Sequence, residues 1–289
     1  MAGGAGVAFV CMAFAACEDE APTAYTAMRF VEAYLIVDEP IRDVVVGISR
    51  PLSEPYDHAQ AMVPDAEVII ESGGERFVLA WRIRDGIGSY FLPDSTVLVE
   101  PGRKYNLTVR YSDGKTVTAE TTTPERIAWT RIPPPLLQYP SDTVNLPSPD
   151  SLRISWTPGN TVEYLVRVRC LDTADYGRYL NPPTSEANGR TNNLSSFETP
   201  DSRTFYGTTR WGFVQTTAVP TVWTAFRWYG RNEVAILAPD AHFLDWFKLT
   251  RFSGSPQHNR EYSNIRGGSG VFGSATQLSS EVFLLKRSR

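Results

Sequence analysis

Apolar and polar residues alternate along much of the chain with a period of two, the spacing of half-buried strands. In "AEVIIES", Ala66, Val68 and Ile70 fall on one face and Glu67 and Glu71 on the other. "RKYNLTVRY" sets Tyr105, Leu107, Val109 and Tyr111 against Lys104, Asn106, Thr108 and Arg110, and "ERFVLAW" sends Phe77, Leu79 and Trp81 together. "FVEAYLIV" and "DVVVGIS" are apolar on both faces, as central strands can be. Turn signals interrupt these runs at Ser72-Gly73-Gly74, Asp85-Gly86, Pro101-Gly102 and Ser112-Asp113-Gly114. The last predicts a hairpin between "KYNLTVRY" and "KTVTAET". Short strands at this spacing predict an all-β sandwich domain over residues 28–124.

Prolines 133, 134, 135, 140, 147 and 149 then crowd a stretch with little periodicity. Proline lacks the donor that a central strand needs, so residues 125–150 are expected to form a stiff linker, with an edge strand near Ile127, Trp129 and Ile132. A second domain is expected over 151–289. It opens with "SLRISWTPGNTVEYLVRVRC", in which Leu152, Ile154 and Trp156 share a face and a Pro-Gly turn separates two strands. That stretch resembles the B and C strands of fibronectin type III modules. The expected fold is therefore mainly β: two immunoglobulin/fibronectin-III-like β-sandwich domains, the second with one inserted helix. Residues 172–200, rich in Asn, Pro, Thr and Ser, predict a long loop. "WGFVQTTAV", "TVWTAFRWY" and "EVAILA" predict strands, and "EVFLLKR" the final one. The helix is expected over 240–252, with Asp240 as its cap and Phe243, Trp246, Phe247 and Thr250 on its buried stripe.

The N-terminus changes the setting. The mostly apolar run "VAFVCMAFAAC" is about half the roughly 20 residues a membrane-spanning helix needs. Its length and its small residues before Cys17 fit a cleaved export signal, residues 1–16. Phe14-Ala15-Ala16-Cys17 resembles a bacterial lipobox, which makes Cys17 the expected lipidation site, with ordinary cleaved secretion as the competing reading. Phe14 stands where leucine is commoner. Residues 17–27 would form an acidic tether, in which Glu18, Asp19 and Glu20 serve either as a surface-export signal or simply as a solvated spacer. Of the three cysteines, Cys11 lies in the signal and Cys17 at its end. Cys170 shares one strand face with Tyr164, Val166 and Val168, opposite Glu163, Leu165, Arg167 and Arg169, as a buried core residue does; no disulfide framework is expected.

Charge and motif chemistry exclude several classes. A net charge of -4 argues against a nucleic-acid partner, which needs a basic face. His58, His242 and His258 are far apart, and His242 has no second histidine at i+4 for zinc. Asp172 and Asp175 lack the spacing and central glycine of a calcium loop. The glycine cluster "NIRGGSGVFGS" has no lysine for a phosphate loop and no G-x-S-x-G elbow; it predicts a structural turn before the last strand. No metal or cofactor is expected, and no enzymatic activity.

The same cluster, from Asn264 to Gly273, resembles the C-terminal signature of a Bacteroidota family of predicted lipoproteins known only as a domain of unknown function. "FVEAYLIVDEP", "PDAEVII" and "PGRKYNLTV" resemble earlier strands of that family. The resemblance implies an outer-membrane lipoprotein, commonly encoded beside TonB-dependent receptors, with no established catalytic residue. The function expected is that of a non-enzymatic accessory or interaction protein anchored through Cys17, with a TonB-dependent receptor as partner. The alternative is a surface module binding a glycan or peptide. For that alternative "VWTAFRWYGRN" supplies the candidates: as a strand it would place Trp223 and Tyr229 on one face, where aromatic rings stack on sugars.

Overall fold

The structure, a computed structural model, describes residues 25–51, 53–55, 57–84, 86–142, 145, 147–148, 152–171, 176–186, 209–252 and 262–286. The expected signal, Cys17, most of the tether and most of the loop 172–200 lie outside these residues, as do Asp172, Asp175 and His258.

The first half contains β1 (Arg29–Ile36), β2 (Val45–Ile48), a single helical turn α1 (His58–Ala61), β3 (Glu67–Ser72), β4 (Glu75–Val78) and β5 (Ala80–Arg84). It continues with β6 (Ile87–Phe91), β7 (Lys104–Arg110), β8 (Thr116–Thr122), β9 (Trp129–Arg131) and β10 (Leu136–Gln138). The second half contains β11 (Arg153–Trp156), β12 (Tyr164–Cys170), β13 (Thr209–Val214), β14 (Ala218–Pro220), β15 (Gly230–Pro239), α2 (Ala241–Phe252) and β16 (Ser269–Leu285). The chain is mainly β.

One seven-stranded sheet organises the molecule, in the order β13-β12-β15-β16-β1-β2, with β10 also on β16. Its spine is β16, 17 residues long. β15 lies antiparallel along one edge of the spine. On the other edge, β1 runs parallel to the first half, from Phe30 opposite Ser269 to Ile36 opposite Ala275, and β10 to the second half, with Leu136 opposite Phe283.

Three cores form on this sheet. The four-stranded sheet β4-β3-β7-β8 closes over β1, β2 and the start of β16, burying Val31, Ala33, Leu35, Val68, Ile70, Leu107, Val109 and Phe272. The three-stranded sheet β14-β11-β9 closes over β12, β15 and the end of β16, burying Ile154, Trp156, Tyr164, Val234, Ile236 and Leu284. On the opposite face of the central sheet α2 covers Leu165, Ala235, Leu237 and Ala275 through Phe243, Leu244 and Phe247. Residues 234 and 236 face one core while 235 and 237 face the other, as the period of two requires.

This topology corrects the expected division into two separate immunoglobulin/fibronectin-like sandwiches at 28–124 and 151–289. β1, from the first segment, is hydrogen-bonded into the sheet built by the second. The expected linker is not a spacer either. Its start forms β9, an edge strand as the prolines allow, but Leu136–Gln138 docks on the spine, where the Pro135 carbonyl accepts from Phe283 N at 2.8 Å. "DVVVGIS" is an edge strand rather than a central one. "WGFVQTTAV" divides into β13 and β14, which belong to different sheets, and "TVWTAFRWY" contains a 3-10 turn at Trp223–Ala225 instead of a strand. The hairpin at Ser112-Asp113-Gly114 forms as expected, with Gly114 N donating to Tyr111 O at 2.9 Å.

The glycine cluster becomes intelligible here. Asn264 acts as a stand-in strand: its side-chain oxygen accepts from Phe272 N at 2.9 Å, and its amide donates to Phe272 O at 2.8 Å and to Glu120 O at 3.1 Å. Gly270 has φ 116, and a Cβ there would collide with the backbone carbonyl of Val31. A Cβ on Gly273 would sit 2.9 Å from Phe243 of α2. The motif is thus the place where β1, β8 and α2 all press against the spine. It leads into a strand that begins at Ser269, well before the expected "EVFLLKR".

Candidate functional site

The expected aromatic platform is not a surface. Trp223 and Tyr229 are 7% and 5% exposed. Both meet Tyr139 edge-on, with ring centroids 5.8 Å and 5.7 Å away, inside the second core. An aromatic ring must present its face to stack on a sugar, and these faces are occupied. Tyr139 comes from the expected linker, so no local pattern pointed to this cluster.

A cleft of about 580 Å³ lies instead on the helix-covered face of the central sheet. Strand alternation places its floor. Trp211 of β13 is level with Arg167 of β12, Arg167 with Ala235 of β15, and Ala235 with Ser279 of β16. The helix α2 forms one wall with Phe243, Phe247 and Thr250, and the segment after β1 forms another with Glu39, Pro40, Arg42 and Asp43.

The helix is placed by its start. Asp240 caps it, its Oδ1 accepting from Phe243 N at 2.7 Å. The second carboxylate oxygen accepts from Ser274 Oγ at 3.1 Å and from the Thr121 hydroxyl, so β8, the spine and the helix are joined at one acid. Phe243 then packs on Tyr34 at 4.6 Å and Phe247 on Trp211 at 4.8 Å. Phe243 and Phe247 are buried as expected, but Leu244 takes the third buried position, while Trp246 is intermediate and Thr250 exposed.

Charge is concentrated on the floor. Arg167 Nη2 donates to Glu233 Oε2 at 2.8 Å and reaches Gln277 Oε1 at 3.5 Å, and Arg169 Nη2 lies 3.2 Å from the same Glu233 oxygen. Arg167 Nε is buried without a hydrogen bond. Burial lowers the pKa of the Arg167 guanidinium, against the opposing pull of Glu233; arginine stays charged regardless. The guanidinium also sits 5.5 Å from the centre of the Trp211 ring. At the β1 end Glu39 pairs with Arg42, Asp43 with Arg82 at 3.1 Å, and Glu32 accepts from the Tyr34 hydroxyl at 2.8 Å.

Sequence reasoning assigned Leu165, Arg167 and Arg169 to the face opposite Cys170 and went no further. The available signal was two arginines on the same face as a leucine in a strand flanked on both sides. A second, more apolar gap of about 330 Å³ opens between the edge strands β13 and β14, lined by Val166, Val214, Val219 and Val222. Cys170 is buried, as expected. His242 is exposed at the start of α2. Among the described residues no three His, Cys, Asp or Glu side chains converge as metal ligands, and no helix is long and apolar enough to cross a membrane.

The model of a family described as a domain of unknown function (DUF4249) matches residues 22–281. The chain belongs to this family. Every residue lining the cleft, from Glu32 to Ser279, lies within the matched region, as do α2 and the glycine cluster. No curated protein matches. Among solved structures, surface layer protein SbsC, domains 1-6, is similar over 90% of this chain and 41% of its own length, at 12% identity and a TM-score of 0.20.

Proposed function

We propose that the protein is a non-enzymatic lipoprotein of the Bacteroidota outer membrane, anchored through Cys17, that captures a small polar ligand, glycan or peptide, in the cleft beside α2. It would serve as an accessory to a membrane partner such as a TonB-dependent receptor. The anchor reading rests on the apolar run that ends at Phe14-Ala15-Ala16-Cys17. One acyl chain gives only marginal attachment, and a lipobox cysteine resembles those that carry several, which makes attachment persistent.

The observation that carries the capture reading is the composition of the cleft. Its volume falls within the range of small-ligand sites, roughly 300–1,000 Å³, and its lining is mostly polar, with seven charged side chains held beside an apolar wall of Trp211, Phe243 and Phe247. Glu39, Asp43 and Glu233 each face an arginine rather than one another. That arrangement holds charge in place and does not present the paired acid and base of a hydrolytic site.

The test is a binding screen of the mature chain against oligosaccharide and peptide arrays, with Trp211→Ala alongside. Retention of at least one class, lost in the variant, supports the reading. Failure to retain either class overturns it.

A further inference from the structure

The apolar gap between β13 and β14 lies on the other face of the central sheet from the cleft. Leu165 of β12 packs under α2, so Val166 and Val168 face the second core. Across the ladder they are level with Gly212 and Arg210 of β13, which share that face. On the opposing sheet Val219 of β14 is level with Ile154, fully buried in the same core, and therefore also points inward. β13 and β14 are each the last strand of their sheet, and between them the two layers do not close. Val166, Val214 and Val219 face inward yet are only half-buried, and a Cβ on Gly212 would meet nothing within 4 Å. Deeper in the same core the inward positions hold Trp156 and Phe226; at this edge a glycine and short valines stand instead. Apolar surface left against water favours whatever covers it.

The polar groups of the gap gather at one end. Residues 215–217 join β13 to β14, so the chain reverses with Val214 beside Ala218 and carries Arg210 and Thr221 together to the far end. Arg210 is exposed and is the one charged residue of the lining among the described residues. Thr221 is 5% exposed, and its hydroxyl oxygen is buried without a hydrogen-bond partner among the described residues. An unpaired buried hydroxyl costs free energy that a ligand oxygen would restore. The walls are aliphatic, because Trp211 turns its ring to Phe247 on the other face of the sheet. A slot of this kind suits a thin unbranched chain, and a single cation with no acid beside it suits an anionic end.

We propose that this gap is a second binding site, which takes a free medium-chain fatty acid with its alkyl chain between the two sheets and its carboxylate on Arg210 and the Thr221 hydroxyl. The guanidinium and the hydroxyl both donate to the carboxylate. The volume, about 330 Å³, stands at the lower end of small-ligand sites, roughly 300–1,000 Å³, which sets a medium chain rather than a long one. The site is separate from the cleft beside α2, and neither reading depends on the other.

Isothermal titration of the mature full chain with hexanoate, octanoate, decanoate and dodecanoate, each below its micelle-forming concentration, tests this. Decanol, decyltrimethylammonium and phosphatidylglycerol vesicles are run beside them. Affinity is expected to rise about fourfold per added methylene until the gap is full and then to level off. Decanol should bind about two- to fivefold more weakly than decanoate, because Arg210 pairs with its ligand at an exposed rim, and the cationic analogue more weakly still. Gly212→Leu puts a side chain into the open space and is expected to lower decanoate affinity about tenfold or more, with the melting temperature within a few degrees of wild type. Arg210→Gln should erase the difference between decanoate and decanol. The chain-length series and the decanol comparison use the unaltered protein, so neither depends on how a variant folds. Affinity that ignores chain length, equal binding of decanoate and decanol to the unaltered protein, or full affinity in a folded Gly212→Leu overturns the proposal. So does retention on vesicles with no free acid bound, which would give the gap to the membrane, or no binding in any arm.

Discussion

Arg167 and Glu233 meet at 2.8 Å on adjacent strands, and each side chain is only 16% exposed. A half-desolvated ion pair of this kind contributes little net stability, because the Coulombic gain offsets the loss of hydration. Its presence on a face otherwise covered by Phe243, Leu244 and Phe247 is therefore a cost that an apolar pair would avoid. The proposed capture of a ligand gives the charges a role there, and the pair gives the first prediction.

Glu233→Leu leaves Arg167 and Arg169 without their shared acid and is expected to destabilise the protein by roughly 3 kcal/mol. The double variant Arg167→Met, Glu233→Leu should recover most of that loss in urea denaturation. It should nevertheless fail to bind ligand, which separates the stability of the sheet from the chemistry of the cleft.

The spine makes a second prediction at Gly270. With φ 116 and the Val31 carbonyl against its α-carbon, an alanine must push β1 away from β16. Strain at that φ alone costs about 1–2 kcal/mol, and loss of the strand contact adds to it, so Gly270→Ala is expected to unfold the chain or lower its melting temperature by many degrees. Gly212→Ala on edge strand β13 meets nothing within 4 Å and should stay within about 0.5 kcal/mol of wild type.

The Asp240 junction is a third. Asp240→Ala removes the helix cap and one acceptor of the Ser274 and Thr121 hydroxyls. Loss of a cap costs about 1 kcal/mol, and because the two hydroxyls keep each other and the Thr122 carbonyl as partners the loss is expected to stay near that figure. Asp240→Asn keeps one side-chain acceptor for Phe243 N and should lose less. Circular dichroism melts would rank the three proteins.

Acid sensitivity follows from two surface pairs. The Arg126 guanidinium holds the Asp38 carboxyl below its ordinary pKa, and Arg231 does the same to Glu281. In the unfolded chain these acids titrate near about 3.9 and 4.3. Their folded values are lower, so the stability they contribute is present above about pH 4 and is lost as the pH falls through the folded values. The urea midpoint is expected to drop below about pH 4, and Arg126→Ala to flatten part of that drop. Both pairs are largely exposed, so added salt should weaken the effect.

Much of the first half was legible in the sequence. Tyr105, Leu107, Val109 and Tyr111 are buried on one face and their neighbours Asn106 and Arg110 exposed, because a hairpin with one solvated side leaves a clean alternation. The helix and its cap at Asp240 were legible for the same reason: the signals are local. What the sequence hid was pairing at long range. Phe30 and Ser269 face each other across most of the chain, and nothing in either stretch names the other. The site was hidden by the same property, since Trp211, Arg167, Glu233 and Glu39 converge only once the sheet has formed. Trp223 and Tyr229 misled because aromatic density marks a core as readily as a binding face.

A crystal structure of the mature chain with a captured ligand is the most direct test of the account. Electron density lying over Gln277 and Ser279, between Arg167 and the segment Glu39–Asp43, is the predicted result. Ligand seated elsewhere, such as the apolar gap between β13 and β14, with the cleft beside α2 left to solvent, would contradict it.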